Sequence, residues 1–154
     1  AESTVGERLE LLRALRDAGI PTVVTLGPVL PYLTDSLENL EALLGNCVEA
    51  RVYGVIQNGF GVTLRAGSSA YFFSCLRELD PGLPEKYEAL LPPGKPRKAG
   101  MFLSPNAAAL ADFFQKSTAA CRLVTDQEAL FAYRHAFLDR RAGQQLSLFD
   151  LFET

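Results

Sequence analysis

Gly19-Ile20-Pro21-Thr22-Val23-Val24-Thr25-Leu26-Gly27-Pro28 and, further along, Arg51-Val52-Tyr53-Gly54-Val55-Ile56 are the two stretches on which the fold turns. The first is β-branched and almost continuously apolar between two glycine breaks, the composition of a strand covered on both faces in a parallel sheet. The second repeats that character. Between them, after a loop at Pro31, Asp35 and Glu38 are spaced as a capping box ahead of Leu37, Leu40 and Leu44 at helical intervals. Two strands joined through one helix of this length run parallel with a right-handed crossover.

Working outward toward the amino terminus, Thr4 and Glu7 form a first capping box. Val5, Leu9, Leu12 and Leu15 follow at helical spacing, with Leu11 widening the face and Gly19 supplying the stop. Residues 4–58 therefore read as helix-strand-helix-strand, with strands over 21–26 and 51–56 parallel and adjacent. A fragment of sheet has open edges, and one of them is expected to be covered by residues 62–140 or by a second chain. The chain opens on Ala1 and a helix cap rather than on an initiator methionine or a leader, so the amino-terminal part of a longer protein is expected ahead of it.

Toward the carboxyl terminus, Gln57-Asn58-Gly59-Phe60-Gly61 holds an Asn-Gly turn, and Val62-Thr63-Leu64 fits either a hairpin strand or a rim loop. Helices are expected over 69–79 and 84–91, parted by Asp80-Pro81-Gly82. Pro92-Pro93-Gly94-Lys95-Pro96-Arg97-Lys98 is the best internal boundary. Beyond it, Ser104-Pro105 opens a helix carrying Leu110, Phe113 and Phe114, and Thr125 with Glu128 caps another carrying Leu130, Phe131, Phe137 and Leu138. The organisation is an α/β unit over 1–91, a linker over 92–98, a helical extension over 99–140 and a tail over 141–154, with no internal repeat.

Composition narrows the function classes. With 154 residues and 48% apolar content the chain can bury one ordinary core. Fifteen Lys and Arg stand against eighteen Asp and Glu, a formal charge of −3 that offers no phosphate-neutralising excess, so any DNA contact is local or indirect. No apolar run is long enough to cross a bilayer, and the expected location is the cytoplasm. Cys47, Cys75 and Cys121 are odd in number and widely spaced without a CxxC pair, which argues against a disulfide framework or a structural zinc and for three small buried apolar residues.

The chemistry-bearing residues are few. His135 is the single histidine and sits at helical spacing with Phe131 and Leu138, so no triad assembles around it. Asp17, Asp35 and Glu38 lie at helix ends, where capping accounts for them. Gly59-Phe60-Gly61 is too short for a phosphate loop. Ligands of parallel α/β sheets bind at the carboxyl ends of the strands, which makes Thr25, Gly27, Gln57 and Asn58 the candidate ligand-facing residues. Turn-making alone also accounts for Gly27 and Asn58.

The phrase Glu7-Arg8-Leu9, the turn Ala18-Gly19-Ile20-Pro21, the strand after it, Pro28-Val29-Leu30-Pro31, Thr34-Asp35 and Leu40-Glu41-Ala42-Leu43 together resemble the second half of a radical S-adenosylmethionine barrel, of the spore photoproduct lyase-like (DNA repair photolyase-like) group. Tyr71-Phe72-Phe73 through Leu79-Asp80-Pro81-Gly82-Leu83-Pro84-Glu85-Lys86-Tyr87 is similar to the group's carboxyl-terminal helices. The resemblance covers residues 4–91 and implies a partial (βα) barrel with parallel strands, followed by a helical carboxyl-terminal region. It also implies a lyase-like DNA-repair parent using S-adenosylmethionine and a 4Fe-4S cluster, with Thr25, Gly27, Gln57 and Asn58 on the cofactor or substrate side. The group's CxxxCxxC motif is absent here, so this chain is not expected to hold a cluster or to be active alone.

At the other end, Gln145-Leu146-Ser147-Leu148-Phe149, behind the polar spacer Arg140-Arg141-Ala142-Gly143-Gln144, is similar at all five positions to the peptide with which bacterial DNA-processing proteins bind the polymerase sliding clamp. The Gln145 amide suits a pocket rim, and Leu146, Leu148 and Phe149 supply apolar anchors. Packing of the same side chains, with Leu151 and Phe152, on the chain's own core is the alternative. Two function classes stand open: the carboxyl-terminal part of a radical S-adenosylmethionine enzyme completed by its missing amino-terminal half or a second chain, and a noncatalytic adaptor that docks through its tail.

Overall fold

The computed structural model describes residues 3–65, 67–91 and 100–136. It is a mixed α/β arrangement in which a small parallel sheet and a small antiparallel sheet each carry their own helices.

Helix α1 spans Val5–Asp17 and starts as its sequence dictates: the Glu7 N–H donates to Thr4 Oγ1 (3.2 Å) while the Thr4 N–H donates to Glu7 Oε2 (2.7 Å). It ends with Gly19 at φ +71°, whose N–H donates to the Arg16 carbonyl (2.9 Å) as the Ile20 N–H donates to that of Leu15 (2.9 Å). The chain then enters β1, Val23–Leu26, crosses through α2, Leu37–Glu49, and returns as β2, Gly54–Gln57. The two strands are parallel and adjacent, with Val23 opposite Gly54 and Leu26 opposite Gln57, as the alternation of strand and helix signals requires.

One face of this sheet makes the first core. Leu26 and Val55 pack with Leu40, Leu44 and Cys47 of α2 and with Leu110 of α5, Ala107–Ala120. Val23 and Thr25 are exposed, so β1 is covered on one face and not on both, a correction to the reading of its composition. Its neighbour is covered further: the Val55 N–H donates to the Val124 carbonyl (2.9 Å) and the Val124 N–H to that of Tyr53 (3.3 Å), a parallel bridge at Gly54. A methyl group on Gly54 would overlap the Val124 carbonyl and Leu130 Cδ2, which is why the strand carries glycine there.

The second core forms around β3, Gly61–Leu64, and β4, Gly100–Leu103, antiparallel with Gly61 opposite Leu103. Val62, Leu64 and Phe102 meet Leu76 of α3, Ser69–Leu79, and Leu83 and Tyr87 of α4, Leu83–Ala89. Residues 61–64 are thus a strand, paired across the linker rather than with a neighbouring hairpin arm. Residues 100–103 form a strand at the start of the stretch expected to be helical; α5 and α6, Gln127–Ala136, follow as helices. Gly100-Met101-Phe102-Leu103 is too short an apolar run for its period to be read.

Two caps differ from expectation. Ser36, not Asp35, caps α2 by accepting from the Asn39 N–H (3.1 Å), and Asp126, not Thr125, accepts from the Ala129 N–H (2.8 Å) at the start of α6. In both places adjacent residues could cap, and tertiary contacts chose between them. No helix among the described residues is long and apolar enough to cross a membrane.

Candidate functional site at the carboxyl end of the parallel sheet

Because Leu26 pairs with Gln57, the residues that follow, Gly27 and Asn58, leave the same end of the sheet. Strand alternation sets their neighbours on different faces: Val24, Leu26, Val55 and Gln57 share the face covered by α2 and α5, and Val23, Thr25, Gly54 and Ile56 share the other. The four sequence candidates therefore come together at one end of the sheet but divide into two pairs. Thr25 and Gly27 border a groove of about 240 Å³ between β1 and α1 whose walls include Arg8, Leu9, Leu12 and Leu43. Gln57 and Asn58 belong to the turn after β2.

That turn is built by its own side chains. Gln57 Oε1 accepts from the Gly59 N–H (2.6 Å), and Asn58 Oδ1 accepts from Gln127 Nε2 of α6 (3.2 Å). The first bond fixes which way the Gln57 amide faces, and its Nε2 is then a buried donor with no protein acceptor among the described residues. A buried donor left unpaired costs about 1–3 kcal/mol.

The loop from Gly27 to Ser36 forms the rim above β1, and it is held on three sides. Tyr87 Oη, fully buried, donates to the Pro31 carbonyl (2.8 Å). Ser104 Oγ donates to the buried Asp35 Oδ2 (2.5 Å) while accepting from the Asn106 N–H (2.9 Å), and Asn106 Nδ2 donates to the Asp35 carbonyl (3.3 Å). Asn39 Nδ2 donates to the Thr34 carbonyl (2.8 Å), and the Leu30 N–H donates to Thr34 Oγ1 (2.8 Å). Burial first, and then the charge of Asp35, push the Tyr87 phenol up to about 12. Tyr87 thus stays a neutral donor, and Asp35 is an anchor between α2 and α5 rather than a cap.

On this fixed loop Tyr32 adopts φ +62° and presents a partly exposed ring, with Lys86 Nζ 5.9 Å from its centroid and Tyr87 edge-on at 6.0 Å. Sequence reasoning missed Tyr32, Tyr87 and the Asp35–Ser104 bond. Tyr87 alone left a signal, at helical spacing from Leu83 and Leu91, where a buried tyrosine must find an acceptor.

The remaining candidates carry less. Cys47 is buried and desolvation raises its thiol pKa, Cys75 is half-buried and Cys121 is exposed, which corrects the expectation of three buried cysteines. His135 falls in α6. Among the described residues no three His, Cys, Asp or Glu side chains converge as a ligand set. Gln145, Leu146, Ser147, Leu148 and Phe149 lie outside the described residues, as do Phe137 and Leu138.

Comparison with known proteins finds relatives in mycobacteria. Uncharacterised proteins of Mycobacterium bovis and of two strains of Mycobacterium tuberculosis are each 41% identical over 83 residues, a stretch covering 54% of this chain and 24% of the relative. The chain thus spans about a quarter of the length of the curated relatives it matches. No family model and no solved structure matches it.

Proposed function

We propose that this chain is the carboxyl-terminal part of a radical S-adenosylmethionine protein of the spore photoproduct lyase-like kind, acting in DNA repair. It would supply a partial (βα) barrel and a fixed substrate-side rim. The observation that carries the reading is the parallel β1–α2–β2 unit, with Thr25, Gly27, Gln57 and Asn58 gathered at the carboxyl ends of its strands. That is where α/β barrels bind ligands, and it is the stretch that carries the family resemblance. The cysteines here do not fit a 4Fe-4S cluster, so the cluster and the S-adenosylmethionine chemistry it supports are assigned to polypeptide beyond these residues. In this reading the chain's own contribution is positional: the Gln57 amide donates to an acceptor on cofactor or substrate, and the loop over 27–36 limits access.

Anaerobic iron–sulfur reconstitution of the complete gene product and of this chain tests the reading. The expected result is a cluster absorption band from the first and a colourless second, with Gln57→Ala lowering S-adenosylmethionine or substrate binding in the complete protein. A cluster spectrum from this chain alone, or none from either, refutes it.

A second reading, a docking adaptor, is favoured by one specific observation, the five-position match of Gln145-Leu146-Ser147-Leu148-Phe149 to the sliding-clamp peptide. Three apolar anchors gain on the order of 5 to 8 kcal/mol against an ordering cost on the order of 5 to 10 kcal/mol, so pocket preorganisation and hydrogen bonds must supply the surplus of a micromolar complex. A labelled peptide of residues 141–154 titrated against purified clamp should saturate. Changing Leu148 and Phe149 to Ala should abolish that saturation, a loss of about 3 to 6 kcal/mol; binding that survives the double change removes this reading.

A further inference from the structure

The rim loop over 27–36 carries one residue that its turn does not call for. Between the buried Pro31 and the exposed Leu33, Tyr32 takes φ +62°, a left-handed backbone that a bulky side chain adopts against its own sterics. Arg51 and Arg122 are the other non-glycine residues at positive φ among the described ones, and each directly follows a helix cap, where that conformation is the ordinary stop. Tyr32 ends no helix. Its turn is nonetheless held firmly: the Leu33 and Thr34 N–H groups both donate to the Leu30 carbonyl (3.1 and 2.9 Å), Tyr87 Oη donates to the Pro31 carbonyl, and Ser104 binds Asp35.

Burial does not account for the residue, since Tyr32 is 41% exposed and Leu33 beside it 40%. What the strained turn achieves is a fixed ring at the surface. Tyr87 backs it at 6.0 Å with the planes inclined at 66°, and the ammonium of the exposed Lys86 lies 5.9 Å from its centroid. An immobilised π-face with a cation beside it suits a planar ring that carries an anionic group a short distance away, which is the chemistry of a base and its phosphate. Inside a duplex the face of a base is covered by its neighbours, so the base must be unpaired or turned out of the stack. Charge points the same way. The chain's formal charge of −3, with Glu85 next to Lys86, opposes a long phosphate track, which leaves recognition to the base itself.

We propose that Tyr32 is a stacking platform for an unpaired base of DNA, with Lys86 meeting the adjoining phosphate. The choice of DNA as the polymer rests on the proposed repair function; the platform requires no cluster chemistry.

Fluorescence anisotropy tests it, with this chain titrated into a labelled oligothymidine strand, into the same backbone carrying abasic sites, and into a paired duplex. The single strand should bind saturably, and removal of its bases should weaken binding roughly 5- to 100-fold. Tyr32→Gly accepts the same φ without strain, so it should leave the fold intact by circular dichroism and lose the preference for the base-bearing strand; Tyr32→Phe should retain it. Lys86→Gln should reduce the slope of log K against log salt by about 0.7, the share of one phosphate contact on a single strand. Equal binding of the abasic strand or of the duplex, no saturable binding, or a base preference that survives Tyr32→Gly overturns the platform, and an unchanged salt slope removes Lys86 from it. Cluster reconstitution of the complete gene product involves neither residue. Base-dependent binding without a cluster therefore keeps the platform and sinks the enzyme reading, and a cluster with base-independent binding does the reverse.

Discussion

Replacing Tyr87 by Phe isolates the clamp on the rim loop. The ring is fully buried against Phe72, Phe73 and Phe102, so the substitution keeps the packing and removes one oxygen. The Pro31 carbonyl then loses its donor, a loss of roughly 1–3 kcal/mol at neutral pH. For a domain of this size that lowers Tm by about 2–4 °C per kcal/mol. The pH dependence gives a second and independent signature. Tyr87 titrates at about 12 when folded, against 10 for the ordinary phenol. Its folded pKa is raised, so its contribution is complete below pH 10 and disappears as the pH rises through 12. About two units at ~1.4 kcal/mol each make that loss roughly 3 kcal/mol. Urea unfolding of both proteins from pH 7 to pH 12 is the assay. The stability difference should hold steady to pH 10 and then shrink, because the variant has no phenol at this position to ionise. A difference near zero at pH 7, or one that does not change between pH 10 and 12, would refute the assignment of Tyr87 as a buried neutral donor.

Three further outcomes are expected. Gly54→Ala should destabilise by about 1–3 kcal/mol or more in denaturant unfolding, since the methyl group meets the Val124 backbone; a neutral result would mean that Val124 is not seated on β2. Ser104→Ala should cost roughly 2–3 kcal/mol, because it strips a buried carboxylate of its hydroxyl donor and the Asn106 N–H of its acceptor, and thermal unfolding will register the loss. Arg122→Gly should stabilise by about 0.5–1 kcal/mol, since Arg122 holds φ +57° at the end of α5, in the αL geometry that glycine holds after α1; an unchanged midpoint would show that this backbone is not strained.

How far the fold could be read from the residues depended on the range of the interactions involved. The β1–α2–β2 unit was legible because β1 is an apolar run bounded by glycine and proline, β2 is a second short β-branched run, and the helix between them repeats leucine at helical spacing. Both signals are local, and chirality then leaves one topology. The ends of α1 were legible for the same reason, with Thr4, Glu7 and Gly19 each within a turn of what they satisfy. Strand β4 was not, because four residues carry no period and their partner, β3, lies across the linker. Asp35 shows the limit most sharply. Its neighbour Ser36 takes the capping role, and the carboxylate is free to bind Ser104, 69 positions away, a choice that depends on where α5 docks and that no local pattern encodes.

The candidate site divides along the same line. Parallel strands fix where a ligand would lie, so the gathering of Thr25, Gly27, Gln57 and Asn58 at one end of the sheet followed from topology alone. Which of them point the same way did not follow, since a period of two sends Thr25 and Gln57 to opposite faces once the register is set. The features that fix the rim loop come from long-range contacts, Tyr87 to Pro31 and Asp35 to Ser104, whereas the Gln57 amide is oriented locally by Gly59, which leaves its Nε2 without an acceptor among the described residues. The fixed rim stands beside an edge of β1 with which no strand pairs among the described residues. Thr25 stands both at the groove and on that open edge.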